Sequence, residues 1–112
     1  MVAKPYVPDR GDVVWIDLQP TLGHEQSNTR PALVLSPKSY NQKTGLCVMC
    51  PVTSHVKQYP FEVPLIGKKI SGVILADQVR NLDWKQRNCR FAEKAATATL
   101  HTVSNTLTLL IS

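Results

Sequence analysis

Between Pro20 and Pro31 the chain runs TLGHEQSNTR, and there His24, Glu25 and Arg30 fall within seven residues among several hydrogen-bonding side chains. An arginine beside a carboxylate suits phosphodiester chemistry, because the guanidinium presents parallel donors that match a pair of phosphate oxygens. Histidine and glutamate add groups able to take or give a proton near neutral pH. A surface ion pair in an ordinary loop is the other reading of the same residues.

Other chemistries find less support. Cys47-Val48-Met49-Cys50 spells C-x-x-C, the spacing of zinc and redox sites. It falls in a strand, where positions three apart point to opposite faces, so the sulfurs diverge and both read as core cysteines. His24, His55 and His101 stand far apart, and the chain contains no H-E-x-x-H, no glycine-rich phosphate loop and no G-x-S-x-G. No metal and no cofactor are expected. Three cysteines are an odd number and too few for a disulfide framework, which fits a reducing compartment.

The elements that must position the loop are short. Prolines cut the first two thirds of the chain into pieces: a strand over Val13 to Leu18, the long loop, a buried strand over Ala32 to Ser36, a turn at YNQKTG, and a strand over Leu46 to Val52. Asp12 reads as a turn residue that tolerates change, and Pro51 belongs at a sheet edge or bulge. From Tyr59 to Ile66 the chain alternates, with Phe61, Val63 and Leu65 on one side; Gly72 to Ala76 is a further short strand. Leu100, Val103, Leu107, Leu110 and Ile111 recur at helical spacing, with Thr97 or Thr99 as the cap. Five threonines in that segment weaken its intrinsic helicity, so packing must hold it. The expected architecture is mainly β with a C-terminal helix, a small β-barrel.

The 112 residues make one domain, 1–112, and 43% apolar residues are enough for a modest core. Thirteen Lys and Arg against eight Asp and Glu leave +5, of which +4 lies after Val56, an imbalance that fits an anionic partner. No apolar run approaches the roughly 20 residues that span a bilayer, and MVAKPYVPDRGD has no apolar signal core. A cytoplasmic location without membrane association is expected.

GDVVWIDLQPTLGHEQSNTRPALVLSPKSYNQKTG, then PVTS, YPFEVPL and GVILADQVRNLDWKQR, resemble in order the MazF/PemK family of bacterial toxin endoribonucleases, over about Val7 to Arg87 and more loosely through the final helix. YVPDRGD and YPFEV are most similar to the MazF branch. The resemblance implies an SH3-like barrel of the MazF/PemK/CcdB type and a homodimer. It implies metal-independent, sequence-specific cleavage of single-stranded messenger and other RNA, which arrests translation and growth. It also implies an acidic, MazE-like antitoxin whose C-terminal part covers the active groove.

The same resemblance assigns the catalytic set to Arg30, Thr53 and Glu25, with His24 and Asp77 as catalytic or substrate-contacting residues. PemK-like members carry an arginine two residues before that aspartate, where this chain has Leu75, as the MazF-like branch is also apolar. The implied mechanism is attack of the ribose 2′-OH on the adjacent phosphorus, with Arg30 stabilising charge and Thr53 hydrogen-bonding a phosphoryl oxygen. The base is left between Glu25 and His24, since arginine is a poor base. RNA recognition would use Lys57, Arg80, Lys85, Arg87, Arg90 and Lys94 for phosphates and Gln26, Asn41 and Gln78 for base edges. Tyr40 and Trp84 are the aromatics open to stacking, while Trp15 and Phe61 sit in core-like patterns. Two other readings are a gyrase-poisoning barrel, whose C-terminal Trp-Gly-Ile is absent from Leu110-Ile111-Ser112, and an RNA-binding barrel that does not cleave.

Overall fold

The structure, a computed structural model, describes residues 5–18 and 29–112. Its strands are β1 (Asp12–Asp17), β2 (Thr29–Val34), β3 (Leu46–Thr53), β4 (Glu62–Ile66), β5 (Ser71–Leu75), β6 (Arg80–Asp83) and β7 (Arg90–Lys94), and its helices are α1 (Lys38–Thr44) and α2 (Thr97–Ile111). A single 3-10 turn, Trp84–Gln86, follows β6. The strands form an antiparallel half-barrel sheet in the order β4-β5-β3-β2-β1-β7, and β6 also pairs with β3.

β3 organises the sheet. One of its edges pairs with β2; the other is divided, with β6 along Leu46 to Met49 and β5 along Val52 and Thr53. Pro51 falls between those two partners, where its missing N–H interrupts neither of their ladders. Such a division of one edge curls the sheet.

Period-two alternation sends residues of β1 to β3 into two cores. Val13, Leu33, Cys50 and Val52 join Val63, Leu65 and Ile74 in the first, while Val14, Ile16, Ala32, Val34, Cys47 and Met49 join Leu82 and Trp84 in the second. The two cysteines of the C-x-x-C motif therefore lie in different cores. Burial pushes the Cys47 thiol up to about 11 and Cys50 to about 12, so both stay protonated.

Helix α2 buries Val103 in the first core, with Leu100 packed against it. That burial, worth about 1.5–3 kcal/mol for such a side chain, offsets the low helicity of the threonines. The apolar face is buried only over its first turns, because Leu110 and Ile111 are exposed. Ala96 occupies the N-cap without a side-chain hydrogen bond, so neither Thr97 nor Thr99 caps the helix.

Two other expectations are corrected. YNQKTG is the body of α1, which ends at Gly45 in the left-handed region (φ 74°). Asp9 Oδ1 accepts from Lys38 N–H at 2.9 Å and so caps that helix from outside. Asp12 is 3% exposed; it accepts the Tyr6 hydroxyl and Asp9 N–H and pairs with Lys94 Nζ at 2.7 Å, which makes it an anchor rather than a tolerant turn. The polar segments Arg80–Asp83 and Arg90–Lys94 are strands, formed by pairing with β3 and β1 rather than by any apolar alternation of their own.

Candidate active site

Arg30 sits near the start of β2 and Thr53 ends β3. The ladder between them pairs Val34 with Met49, Leu33 with Cys50 and Ala32 with Pro51. The ladder stops at Ala32 and Pro51, two residues short of both Arg30 and Thr53, and Thr53 itself pairs with Val73 of β5. Arg30 and Thr53 both line an open groove of about 720 Å³.

Each side chain has bonding capacity to spare. Arg30 is exposed, and its Nη1 donates to the Thr29 carbonyl at 3.2 Å. Among the described residues no carboxylate pairs with it, so the guanidinium keeps further N–H donors available. Thr53 Oγ1 accepts the His55 backbone N–H at 3.1 Å, which leaves the hydroxyl proton to donate.

The described residues on either side of 19–28 are tied together. Asp17 pairs with Thr29 in the β1–β2 ladder, and the Thr29 hydroxyl donates to Asp17 Oδ1 at 2.7 Å. Asn88 Nδ2 donates to the other carboxylate oxygen at 2.9 Å. The Thr29 hydroxyl first, and Asn88 second, hold the Asp17 carboxyl below the usual carboxylate range against the opposing effect of burial. Arg87 Nη1 donates to the carbonyls of Asp17 (3.1 Å) and Leu18 (2.7 Å), so it braces this clasp.

The groove is electropositive. Arg30, Lys69 and Arg80 line it, and no Asp or Glu is among its described lining residues. Apolar wall is supplied by Trp15, Pro31, Val52 and Leu75. Basic walls with an aromatic surface suit single-stranded nucleic acid. Trp15 is half-buried, packed on the first core but also turned to the groove, where the strand pattern alone placed it wholly inside.

Of the residues singled out from sequence, the groove gathers Arg30, Thr53, Gln78 and Arg80. His24, Glu25 and Gln26 lie outside the described residues. Asp77 is near but not in the lining; the Tyr59 hydroxyl donates to its Oδ2, which pushes the Tyr59 pKa up. Lys57 and Lys85 are exposed away from the lining, and Lys85 Nζ stands 5.6 Å from the Trp84 ring centroid. Asn41 is corrected outright: it is fully buried, donates to the Pro8 carbonyl (2.8 Å) and the Ser36 carbonyl (3.0 Å), and accepts from the Ser36 hydroxyl. It reads no base. Trp84 is 7% exposed and donates Nε1–H to the Asn41 carbonyl, so it is not a stacking platform.

Sequence reasoning missed Lys69, His55, Ser54 and Ser71, which the fold brings into the groove from the β3–β4 connection and the β4–β5 hairpin. Among the described residues no three His, Cys, Asp or Glu side chains converge to hold a metal ion.

The sequence and fold are shared with known proteins. The family described as PemK-like, MazF-like toxin of type II toxin-antitoxin system matches residues 9–111. The endoribonuclease toxin MazF of Escherichia coli K12 is 46% identical over 111 residues, covering 99% of both chains. The crystal structure of MazF from Deinococcus radiodurans superposes with a TM-score of 0.86 at 49% identity, covering 96% of this chain and 98% of that one. A chain of the MazE–MazF complex from the same organism gives 0.86 at 44% identity, covering 96% and 97%. The chain belongs to the PemK-like, MazF-like family of type II toxins.

Proposed function

We infer that the groove cleaves single-stranded RNA by attack of a ribose 2′-OH on the adjacent phosphorus, giving 2′,3′-cyclic phosphate and 5′-OH ends. The chain is an endoribonuclease toxin of a type II toxin–antitoxin system. One observation supports the chemical reading: Arg30 and Thr53 line the same cationic groove, each with donors free for a phosphoryl group.

The nucleophile is already part of the substrate, so the step needs no metal-bound water. The new P–O bond forms to the 2′-oxygen while the bond to the 5′-oxygen breaks. Arg30 meets the charge gathering on the phosphoryl oxygens, and Thr53 donates one further hydrogen bond. Carboxylate and imidazole side chains suit taking the 2′-OH proton and protonating the leaving oxygen, which assigns these steps to Glu25 and His24. Gln78 and Arg80 contact the strand along the groove, and Trp15 offers a face to a base.

An acidic, MazE-like antitoxin lying across the groove would neutralise Arg30, Lys69 and Arg80, which explains inhibition by simple occlusion. The exposed apolar end of α2, Leu109 to Ile111, supports assembly as a homodimer. No helix among the described residues is long and apolar enough to cross a membrane. An RNA substrate and three free cysteines support a cytoplasmic site of action.

The test is incubation of purified protein with mixed single-stranded RNA in excess EDTA, followed by chemical identification of the ends. Cyclic phosphate and 5′-OH ends, absent when the scissile ribose is 2′-deoxy, are expected. Cleavage to 5′-phosphate ends, or RNA bound but left intact across a pool of all short motifs, would overturn the reading.

A further inference from the structure

Lys69 reaches the groove from the tip of the β4–β5 hairpin, and that tip is fixed from below. Gly67 N–H donates to the Ile70 carbonyl at 3.0 Å, closing the turn. Glu93, projecting from β7, accepts three backbone N–H groups: Lys68 on Oε1 at 2.8 Å, and Lys69 and Ile70 on Oε2 at 2.9 and 2.8 Å. Ile70 is anchored in the first core. A Cβ at Gly67 would stand 2.5 Å from Glu93 Oε2 and 2.6 Å from the Ile70 carbonyl, so the carboxylate fits under this turn only because residue 67 is glycine.

Glu93 spends its oxygens on the main chain of the turn, and among the described residues it forms no ion pair with the Lys69 ammonium. Burial would raise its pKa, but the three N–H groups, with the Lys69 charge beyond them, hold it low, so it stays ionised at neutral pH. The turn is held rigid while its lysine stays exposed and charged in the groove. A cation on a pre-organised turn loses little backbone freedom on binding. An ammonium acts as a point charge for one phosphate rather than as a bidentate fork.

We infer that Lys69 forms a phosphate subsite for the RNA strand, and that Glu93 is a positioning residue that holds this subsite through the backbone of the turn. The inference rests on the RNA-cleaving reading of the groove.

The test measures binding of a non-cleavable 2′-deoxy oligonucleotide of mixed sequence by fluorescence anisotropy across a salt series, with wild-type RNA cleavage assayed in parallel. Lys69→Ala is expected to weaken binding severalfold and to reduce the slope of log K against log[salt] by about 0.7, one phosphate contact on a single strand. Lys69→Arg should restore both. Glu93→Gln should lower the slope as Lys69→Ala does, in protein whose circular dichroism shows it folded. Lys43→Ala, the same charge change on α1 away from the groove, should leave the slope unchanged. An unchanged slope in Lys69→Ala, or an equal loss in Lys43→Ala, overturns the subsite. A folded Glu93→Gln protein with the wild-type slope overturns the positioning role. Failure of the wild-type protein to cleave RNA would count against the reading of the groove instead.

Discussion

Gly72 lies against the carbonyl of Thr53: a Cβ placed on it would stand 2.4 Å from that oxygen and 3.1 Å from its carbon. The contact is backbone to backbone, so no side-chain rotation can relieve it. β5 approaches β3 at the end that carries Thr53, and a glycine at this point lets the strands meet without displacing it.

Gly72→Ala is therefore expected to cost stability, about 1–3 kcal/mol as for other overpacked sites. It should also reduce cleavage in the fraction that remains folded, because the strain is delivered to Thr53, which we propose holds the phosphoryl group. Thermal melting and single-turnover cleavage at a temperature where the variant is folded separate the two effects. Wild-type cleavage by folded Gly72→Ala would show that Thr53 need not stay in place.

Asn41→Ala is expected to destabilise the protein by about 1–3 kcal/mol, the cost of buried groups left without partners. The Pro8 and Ser36 carbonyls both depend on its amide. The cleavage motif should not change, which sequencing of the cut ends would check. A relaxed motif with an unchanged melting temperature would return Asn41 to the role of base reader.

The Asp17–Thr29 clasp should loosen in acid. Asp17 is held below its usual value near 3.8 by the Thr29 hydroxyl and the Asn88 amide. A carboxyl depressed in the folded state stabilises fully above its unfolded pKa, and that contribution is lost as pH falls through the lower, folded value. The melting temperature should thus fall below about pH 4, and less steeply in Asp17→Asn. An identical acid profile in that variant would show that the clasp does not form.

Much of the sheet was legible because its strands are bounded by prolines and rich in β-branched residues. The divergence of Cys47 and Cys50 followed from strand geometry alone, and the structure puts them in separate cores. Helix α1 was not legible. Its seven residues are too few to show a period, and it is held by tertiary bonds from Asp9 and through Asn41. β6 and β7 are short and polar, so only their pairing defines them. The same limit applies to the groove. Arg30 stood out beside a proline in a polar loop, but Lys69 looks like any surface lysine until the hairpin carries it to the groove.

The central claim is that Arg30 and Thr53 act together on one phosphoryl group, and a double-mutant cycle tests it most directly. Single-turnover cleavage would be compared for wild type, Arg30→Ala, Thr53→Val and the double variant, each checked for folding. Both single variants should fall by about 10²–10³ or more, as when one oxyanion donor is removed. The double variant should be less impaired than the product of the two losses, because the groups serve one transition state. Wild-type cleavage by Arg30→Ala, or losses that multiply fully, would contradict the account.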